Sequence, residues 1–314
     1  MLEKNLVKQG ALFGGIYLLL LYLTILVPFI EVVTIFLLPI PFIIFSARHG
    51  WKSSSILLLI VLLFASIVAM NVSIPLTILT GFSGILIGSA IHQKVTPYEV
   101  WAKGTLGFVL GFVFIYIFVQ VIFTINLSSE FQLIINDSIA TSEEMMEQFG
   151  LETSTENHEM LTQQMEQFLN LLPVILVIVS MILGFITQWL GFKVLNRLDG
   201  LGLRFPPFRD FVLPKVIIWV YFIAILFTWF NIDSGSPFYQ VIINVTNLVG
   251  LLITLQGFSF ILYYTYTKKL TKAIPIITIL VAILLPFIGL YMMRILGIID
   301  LGFSLRDRLS NAKK

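Results

Sequence analysis

The sequence contains no cysteine, and this absence excludes several classes of site at once. Disulfides, thiolate nucleophiles, cysteine-ligated zinc and iron–sulfur clusters all require that residue. The three histidines, His49, His92 and His158, lie far apart and have no metal-ligand spacing. We therefore expect neither a metal site nor a bound cofactor.

Charge is scarce as well. Charged residues make up 11% of the 314 residues, whereas a soluble domain carries roughly 25%. The net charge of +2 is too small to indicate nucleic acid binding, and no phosphate-binding Gly-x-x-x-x-Gly-Lys-[Ser/Thr] loop occurs. Any ATP-driven work would therefore have to be done by a partner.

What the chain has in excess is apolar sequence, with 58% hydrophobic residues and a mean hydropathy of +0.99. Apolar stretches of about 20 residues recur, the length of a helix that crosses a bilayer. Each should be helical, because lipid offers no partner to backbone polar groups. The predicted fold is an all-α, polytopic transmembrane bundle of about eight or nine spans, near 11–29, 32–45, 55–70, 74–91, 106–125, 169–192, 216–230, 241–266 and 274–293.

Lysine and arginine predict the orientation of these spans. Basic residues occupy the N-terminus and alternate connections, and none occurs between Gly104 and Phe192. We expect a multi-pass plasma membrane protein with a cytoplasmic N-terminus and residues 126–168 outside. Nine spans would put the basic tail outside too. The sequence leaves open whether the last segment is re-entrant, the short span 32–45 does not cross, or the tail is an external amphipathic segment.

The sequence suggests three parts: an N-terminal bundle (1–125), an acidic extracytoplasmic helical insert (126–168), and a C-terminal bundle with a basic tail (169–314). The insert has nine acidic residues and no lysine or arginine. We predict two short amphipathic helices in it, the first beginning near Ser142 and broken near Gly150. The insert is either a solvated hairpin or a docking surface for cations or for other envelope proteins.

The first span begins with small residues one helical turn apart, Gly10 with Gly14 and Ala11 with Gly15. Small residues at this spacing let a second helix approach closely. The second helix is either another span of this chain or a docked subunit, so Gly10, Ala11, Gly14 and Gly15 are the candidate partner-docking residues.

The stretch "GALFGGIYL" at Gly10–Leu18 resembles the start of the substrate-binding S components of energy-coupling-factor vitamin transporters. That resemblance implies that the first helix contacts a transmembrane coupling subunit that works with ATPases. The S-like part would be residues 1–125.

The whole chain resembles the YybS-like family of uncharacterised bacterial membrane proteins, a distant relative of those S components. The resemblance is carried by "PIPF" at Pro39, "RFPPFRDFVLP" at Arg204, Gln256-Gly257, and "GIIDLGFSLR" at Gly297. These motifs mark residues of unassigned role: Pro39, Pro41, Pro214, Gly257, Gly297, Asp300 and Arg306.

Catalysis has little support. Gly81-Phe82-Ser83-Gly84 resembles the nucleophile motif of rhomboid proteases. A serine nucleophile needs a base within hydrogen-bond reach, and no histidine lies in any later span. We therefore expect that the protein is not an enzyme and that these glycines form a helix contact.

Polar residues inside spans mark either interhelical bonds or a ligand path. Gln188, Asn244, Asn247 and Gln256 are the candidates for a pocket that binds a polar organic ligand. With these span boundaries, no acidic or basic residue falls at the middle of a span, which argues against a proton-coupled pump.

Two functional classes follow. One is a substrate-binding and translocation component of a small-molecule transport system, energised by partner subunits. The other is a membrane scaffold or regulatory protein that binds other envelope proteins.

Overall fold

A computed structural model describes residues 2–124, 127–148, 164–165, 169–230, 232–233 and 236–311, and within these ranges the regular structure is helical. The α-helices are α1 (Leu2–Leu26), α2 (Glu31–Leu37), α3 (Pro39–Ala65), α4 (Met70–His92), α5 (Pro97–Phe123), α6 (Leu127–Gln148), α7 (Leu172–Asp199), α8 (Val216–Thr228), α9 (Pro237–Thr267), α10 (Ala273–Leu284), α11 (Pro286–Phe303) and α12 (Leu305–Asn311). A 3₁₀ turn lies at Phe208–Asp210.

Seven stretches among the described residues are long and apolar enough to cross a membrane. They are Asn5–Leu26, Glu31–Ala65, Met70–His92, Pro97–Phe123, Leu172–Asp199, Pro237–Thr267 and Pro286–Phe303. The apolar helices α8 and α10 are shorter. The prediction of an all-α polytopic bundle is confirmed, and these helices require a lipid bilayer around them.

Local sequence signals fix where several helices begin. Thr96 accepts a hydrogen bond from the backbone N–H of Glu99, whose side chain bonds back to Thr96 N–H, and Pro97 occupies the first turn. Ser236 caps α9 in a similar way: its side chain accepts a hydrogen bond from the backbone N–H of Tyr239, and Pro237 is the first helical residue. Such caps satisfy N–H groups that have no partner within the helix.

The chain divides into two compact units, Met1–Phe205 and Pro206–Lys314. In the first unit α4 is the central helix. Glycines bring its neighbours to backbone distance: a Cβ at Gly88 would lie 2.5 Å from the carbonyl oxygen of Ile43 in α3, and one at Gly107 of α5 would lie 2.7 Å from Cα of Ser83. The division after Phe205 differs from the boundary expected at residue 168, because α7 packs on α5.

In this unit, α2 and α3 form a hairpin that turns at Gly50, where φ is 76° and ψ is 175°. Its first arm, residues 31–49, runs antiparallel to α1. At one end of that contact His49 Nε2 and Gln9 Oε1 are 2.9 Å apart, and at the other end Thr24 donates a 2.7 Å hydrogen bond to Thr34.

The second arm of the hairpin, residues 51–65, returns alongside α1. The hydroxyl of Tyr22 donates a 2.7 Å hydrogen bond to the carbonyl oxygen of Phe64. The stretch Glu31–Ala65 therefore runs along the first unit twice, once in each direction. Its two arms overlap the predicted second and third spans. The first arm is long enough to cross a bilayer because α2 continues into α3 at Pro39. It therefore extends beyond both ends of the predicted span 32–45.

The insert begins with α6, one continuous helix of 22 residues. The prediction that a helix starts at Ser142 is wrong: that residue lies inside α6 and donates its hydroxyl hydrogen to the carbonyl oxygen of Ser138. Hydroxyl side chains can bond inside a helix as well as cap it. The predicted break near Gly150 lies outside the described residues, as does most of the second helix.

The second unit ends in a tight helical hairpin formed by α10 and α11. The backbone breaks at Leu285, directly before Pro286, and a Cβ at Gly289 would lie 2.4 Å from Cα of Ala282. The predicted continuous span 274–293 is therefore wrong, because Pro286 cannot continue the preceding helix. Of the three options for the tail, a re-entrant last segment matches this turn, which brings α12 back to the end of the unit where α9 ends.

Candidate functional site

A groove of about 460 Å³ runs between α1 and the second arm of the first-unit hairpin. On α1 it extends from Leu6 to Leu18, which is roughly 18 Å of helix. Its lining is apolar apart from Ser53 and consists of Leu6, Val7, Gly10, Ala11, Gly14, Gly15, Leu18, Phe45, Ser53, Ile56, Leu57, Ile60, Val61 and Phe64. We call this the lateral groove. It suits an apolar, elongated occupant.

The predicted small residues of α1 divide into two pairs. Gly10 and Gly14 are buried against the chain's own helices, because a Cβ at Gly14 would lie 3.2 Å from Leu57. Ala11 and Gly15 are exposed, and a Cβ at Gly15 would meet no atom within 4 Å in the described part of the chain. Internal packing explains the first pair and leaves the second pair open to a neighbour.

Of the four amides proposed as a ligand pocket, one lies in the first unit and three lie in the second. Gln188 belongs to the first unit, where its Nε2 donates to the carbonyl oxygen of Pro97 at 2.9 Å. In the second unit, Asn244 Nδ2 donates to the carbonyl oxygen of Gln240 in its own helix, and Asn247 is exposed. Gln188 and Asn244 thus each bond a backbone carbonyl oxygen of their own unit, and a ligand pocket at these amides stays a prediction.

The fourth amide, Gln256, lies fully buried in a cluster of polar side chains in the second unit. Its Nε2 donates to Asp300 Oδ2 at 2.6 Å, and its Oε1 accepts the backbone N–H of Leu213 at 2.9 Å. Arg306 Nε donates to the same Asp300 oxygen at 2.9 Å. The amide thus ties α9 to α11 and to the loop before α8, and we call this set the Asp300 cluster.

Arg306 extends the cluster to the backbone of the "RFPPFRDFVLP" segment. Its Nη1 donates to the carbonyl oxygen of Arg209 at 2.8 Å, and its Nη2 donates to Ser259 Oγ at 3.1 Å. Ser259 in turn lies 2.8 Å from the carbonyl oxygens of Phe208 and Phe211. Asp300, buried to 3% exposure, is therefore neutralised by an ion pair that also fixes a loop.

Two glycines of the family motifs form the crossing point of α9 and α11. A Cβ at Gly257 would lie 1.9 Å from the carbonyl oxygen of Met293, and one at Gly297 would lie 2.0 Å from that of Ile253. No side chain fits at these distances, so the helices meet backbone to backbone. This contact holds Gln256 opposite Asp300.

The three motif prolines start helices or pack beside them. Pro39 is the first residue of α3, and Pro41 is buried two residues later. The carbonyl oxygen of Pro214 accepts the N–H of Ile217 at 3.1 Å in the first turn of α8. Proline suits such positions because it has no N–H to leave unpaired.

The rhomboid-like stretch is part of helix packing. A Cβ at Gly84 would lie 2.6 Å from the carbonyl oxygen of Pro39. Ser83 is fully buried, and its hydroxyl bonds the carbonyl oxygens of Leu79 and Thr80 in its own helix. This serine has no histidine partner among its described contacts.

The expectation that no charged residue lies at the middle of a span is wrong, because Arg294 lies at the middle of α11. The predicted span 274–293 ended just before this arginine, because the sequence analysis did not recognise the helix break at Pro286. Its Nη1 donates to Tyr221 Oη at 3.3 Å, and its guanidinium lies against Gly250. Its Nε is buried without a hydrogen-bond partner among the described residues.

Comparisons with known proteins identify a family of predicted membrane proteins. The chain is 25% identical over 310 residues to the uncharacterised protein YybS of Bacillus subtilis (strain 168), covering 98% of this chain and 100% of that protein. No solved structure matches. The family model described as a predicted membrane protein, DUF2232, matches residues 15–301. The chain therefore belongs to the DUF2232 family of predicted membrane proteins.

Proposed function

We propose that this integral membrane protein is a non-catalytic subunit of a membrane complex, and that it binds a transmembrane helix of another envelope protein in the lateral groove. The observation that carries the proposal is Gly15. Its missing side chain leaves open space in the lateral groove, and among the described residues no contact requires a glycine there.

The lining of the groove supports a helix as the occupant. Both walls are helices of the bundle, so an occupant has to lie along them inside the bilayer. Ala11 and Gly15 are one turn apart, the spacing at which a second helix backbone approaches closely. The wall opposite, with Ile56, Ile60 and Phe64, supplies side chains that can pack over it.

For orientation, we place the N-terminus and the Gly50 turn in the cytoplasm of the cell and α6 outside the plasma membrane. The basic residues support this placement, because Lys8, Arg48 and Lys52 all lie toward the Gly50 end of the first unit. Basic residues are retained on the cytoplasmic side of membrane proteins.

A second candidate is the binding and translocation component of a small-molecule transport system, coupled to a transmembrane subunit and ATPases. The open pair Ala11 and Gly15 supports it, since the resemblance to S components implies a coupling contact on this helix face. The ligand part has less support, because Gln188 and Gln256 already bond groups of the chain itself.

The absence of native cysteine makes a direct test possible. Single cysteines at Gly15 and Ile60, on the two helices that form the groove, should crosslink in native membranes to the same transmembrane helix of one partner. Leu12→Cys is the matched control, because Leu12 is exposed on α1 but does not line the groove. The proposal fails if the control crosslinks equally, or if the two wall positions capture unrelated proteins.

The same experiment separates the two candidates. A partner that is itself bound to ATPases, together with a small molecule retained by the purified complex, supports the transport role. A partner without ATPases, and no uptake defect in a deletion strain, supports the scaffold role.

A further inference from the structure

Arg294 is an under-coordinated guanidinium near the middle of the apolar layer. From Arg294 to Phe303, the end of α11, the helix rises roughly 14 Å. On α9 the guanidinium packs against Gly250, where a Cβ would lie only 3.0 Å from Arg294 Cζ. Gly250 itself lies about 20 Å along α9 from Pro237. The side chain is therefore directed into the unit at mid-depth.

The charge of Arg294 has no acidic partner among the described residues. The nearest acid along α11 is Asp300, which already binds Arg306 and Gln256. Of the five N–H donors of a guanidinium, the described chain uses one, toward Tyr221. An arginine inside the membrane is costly, and its burial usually marks a binding partner.

We propose that Arg294 pairs inside the bilayer with the carboxylate of an aspartate or glutamate on a transmembrane helix of a partner protein. A guanidinium binds a carboxylate through two parallel hydrogen bonds. Tyr221 completes the site: its oxygen accepts from Arg294, so its own hydroxyl hydrogen can be donated to the carboxylate. Gly250 leaves room for the guanidinium against α9.

Depth decides between a helix and a lipid headgroup as the source of the anion. Headgroups begin about 15 Å from the centre of the hydrocarbon layer. An acidic side chain on a spanning helix can be placed at any depth, including that of Arg294. Arg294 is partly exposed, so a neighbouring helix can reach it. This contact belongs to the second unit and does not depend on occupation of the lateral groove.

The test uses the full chain in phosphatidylcholine vesicles with two probe peptides. Each is a leucine–alanine helix of about 22 residues, with either glutamate or glutamine at its centre. Energy transfer between labelled peptide and labelled protein measures binding. We expect the glutamate peptide to bind about tenfold more tightly than the glutamine peptide, and Arg294→Gln to abolish this preference.

Arg308→Gln is the control, since Arg308 is exposed in α12 and should leave the preference intact. Arg294→Lys keeps the positive charge but loses the two parallel N–H donors of the guanidinium, so it should retain part of the preference for the glutamate peptide. Equal binding of the two peptides, or a preference that survives Arg294→Gln, overturns the proposal. So does a lysine variant that melts like the wild type but shows no preference.

Lipid is tested with vesicles that contain phosphatidylglycerol. If the anionic lipid displaces the glutamate peptide and raises the melting temperature only when Arg294 is present, the site binds lipid and the proposal is wrong.

Discussion

Gln256 and Asp300 form a 2.6 Å hydrogen bond between two helices of the second unit, and both side chains are almost completely buried. The same carboxylate oxygen of Asp300 also accepts a hydrogen bond from Arg306 Nε. Three stretches singled out in the sequence, "RFPPFRDFVLP", Gln256-Gly257 and "GIIDLGFSLR", meet at this point. Their common role is to bind the α9–α11 pair to the loop that precedes α8.

Removal of the Asp300 charge should destabilise the second unit strongly. Asp300→Asn keeps the shape but leaves the guanidinium of Arg306 uncompensated, which should cost about 3 kcal/mol. The measurement is thermal unfolding of the purified protein in mild detergent. Asp307→Asn is the control, because Asp307 is exposed on α12. A loss of stability equal to that of the control would contradict the role assigned to the cluster.

The glycine crossing of α9 and α11 should not tolerate a methyl group. Gly257→Ala places a carbon 1.9 Å from the carbonyl oxygen of Met293, so the helices must separate. We expect a loss of about 3 kcal/mol, at the upper end for overpacked sites. Gly302→Ala is the matched control within α11, where the nearest atom is 3.8 Å away. It should be neutral or stabilising by up to about 1 kcal/mol.

The turn at Gly50 should depend on backbone conformation and not on space. A Cβ there would meet only His92, at an ordinary 3.7 Å, but residues with side chains rarely adopt φ 76° and ψ 175°. Gly50→Ala should therefore cost about 1–3 kcal/mol. Gly15→Ala, in regular helix, should cost nothing. Equal melting temperatures for the two variants would show that the turn is not strained.

A large side chain at Gly15 should block partner binding without unfolding the protein. Gly15→Leu fills the lateral groove at a point where no described residue lies within 4 Å of a Cβ at position 15. The crosslink from a cysteine at Ile60 should disappear, while the melting temperature stays near that of the wild type. Leu19→Ala changes an exposed α1 residue outside the groove and should leave the crosslink in place. A crosslink that persists in Gly15→Leu would place the partner elsewhere.

Labelling of single cysteines should report the orientation. Lys8→Cys and Arg308→Cys should react with an impermeant thiol reagent from one side of the membrane. Basic residues mark both the N-terminus and the connection 268–272 after α9 as cytoplasmic, and the α10–α11 hairpin returns the tail to that end of α9. Ser142→Cys in α6 should react from the opposite side. Arg308→Cys and Ser142→Cys reacting from the same side would be incompatible with a re-entrant hairpin.

The sequence predicted the apolar helices well, because the length and composition of a membrane helix are local properties. It also marked the residues of the Asp300 cluster, through motifs whose spacing gave no hint that they meet. The break at Leu285–Pro286 was missed since the flanking residues are uniformly apolar, and hydropathy does not report a turn inside lipid. Arg294 was consequently assigned to a span end.

For the candidate amides, the sequence marked the residues but not their hydrogen-bond partners. Glutamine and asparagine inside a helix bond to whichever backbone or side-chain partner is nearest, and that choice is set by packing. Gln188 finds the carbonyl oxygen of Pro97, and Asn244 finds its own helix. Side-chain type alone does not distinguish these local partners from a shared ligand.

The hairpin at Gly50 bears on how the chain enters the bilayer during synthesis. The two connections at the far end of the hairpin, residues 27–30 and 66–69, contain no charged side chain. Arg48 and Lys52 stay beside the turn. With the Gly50 turn in the cytoplasm, as proposed, insertion of this hairpin as one unit would carry across the bilayer only two uncharged connections and the adjoining Glu31, while Arg48 and Lys52 would stay on the ribosome's side.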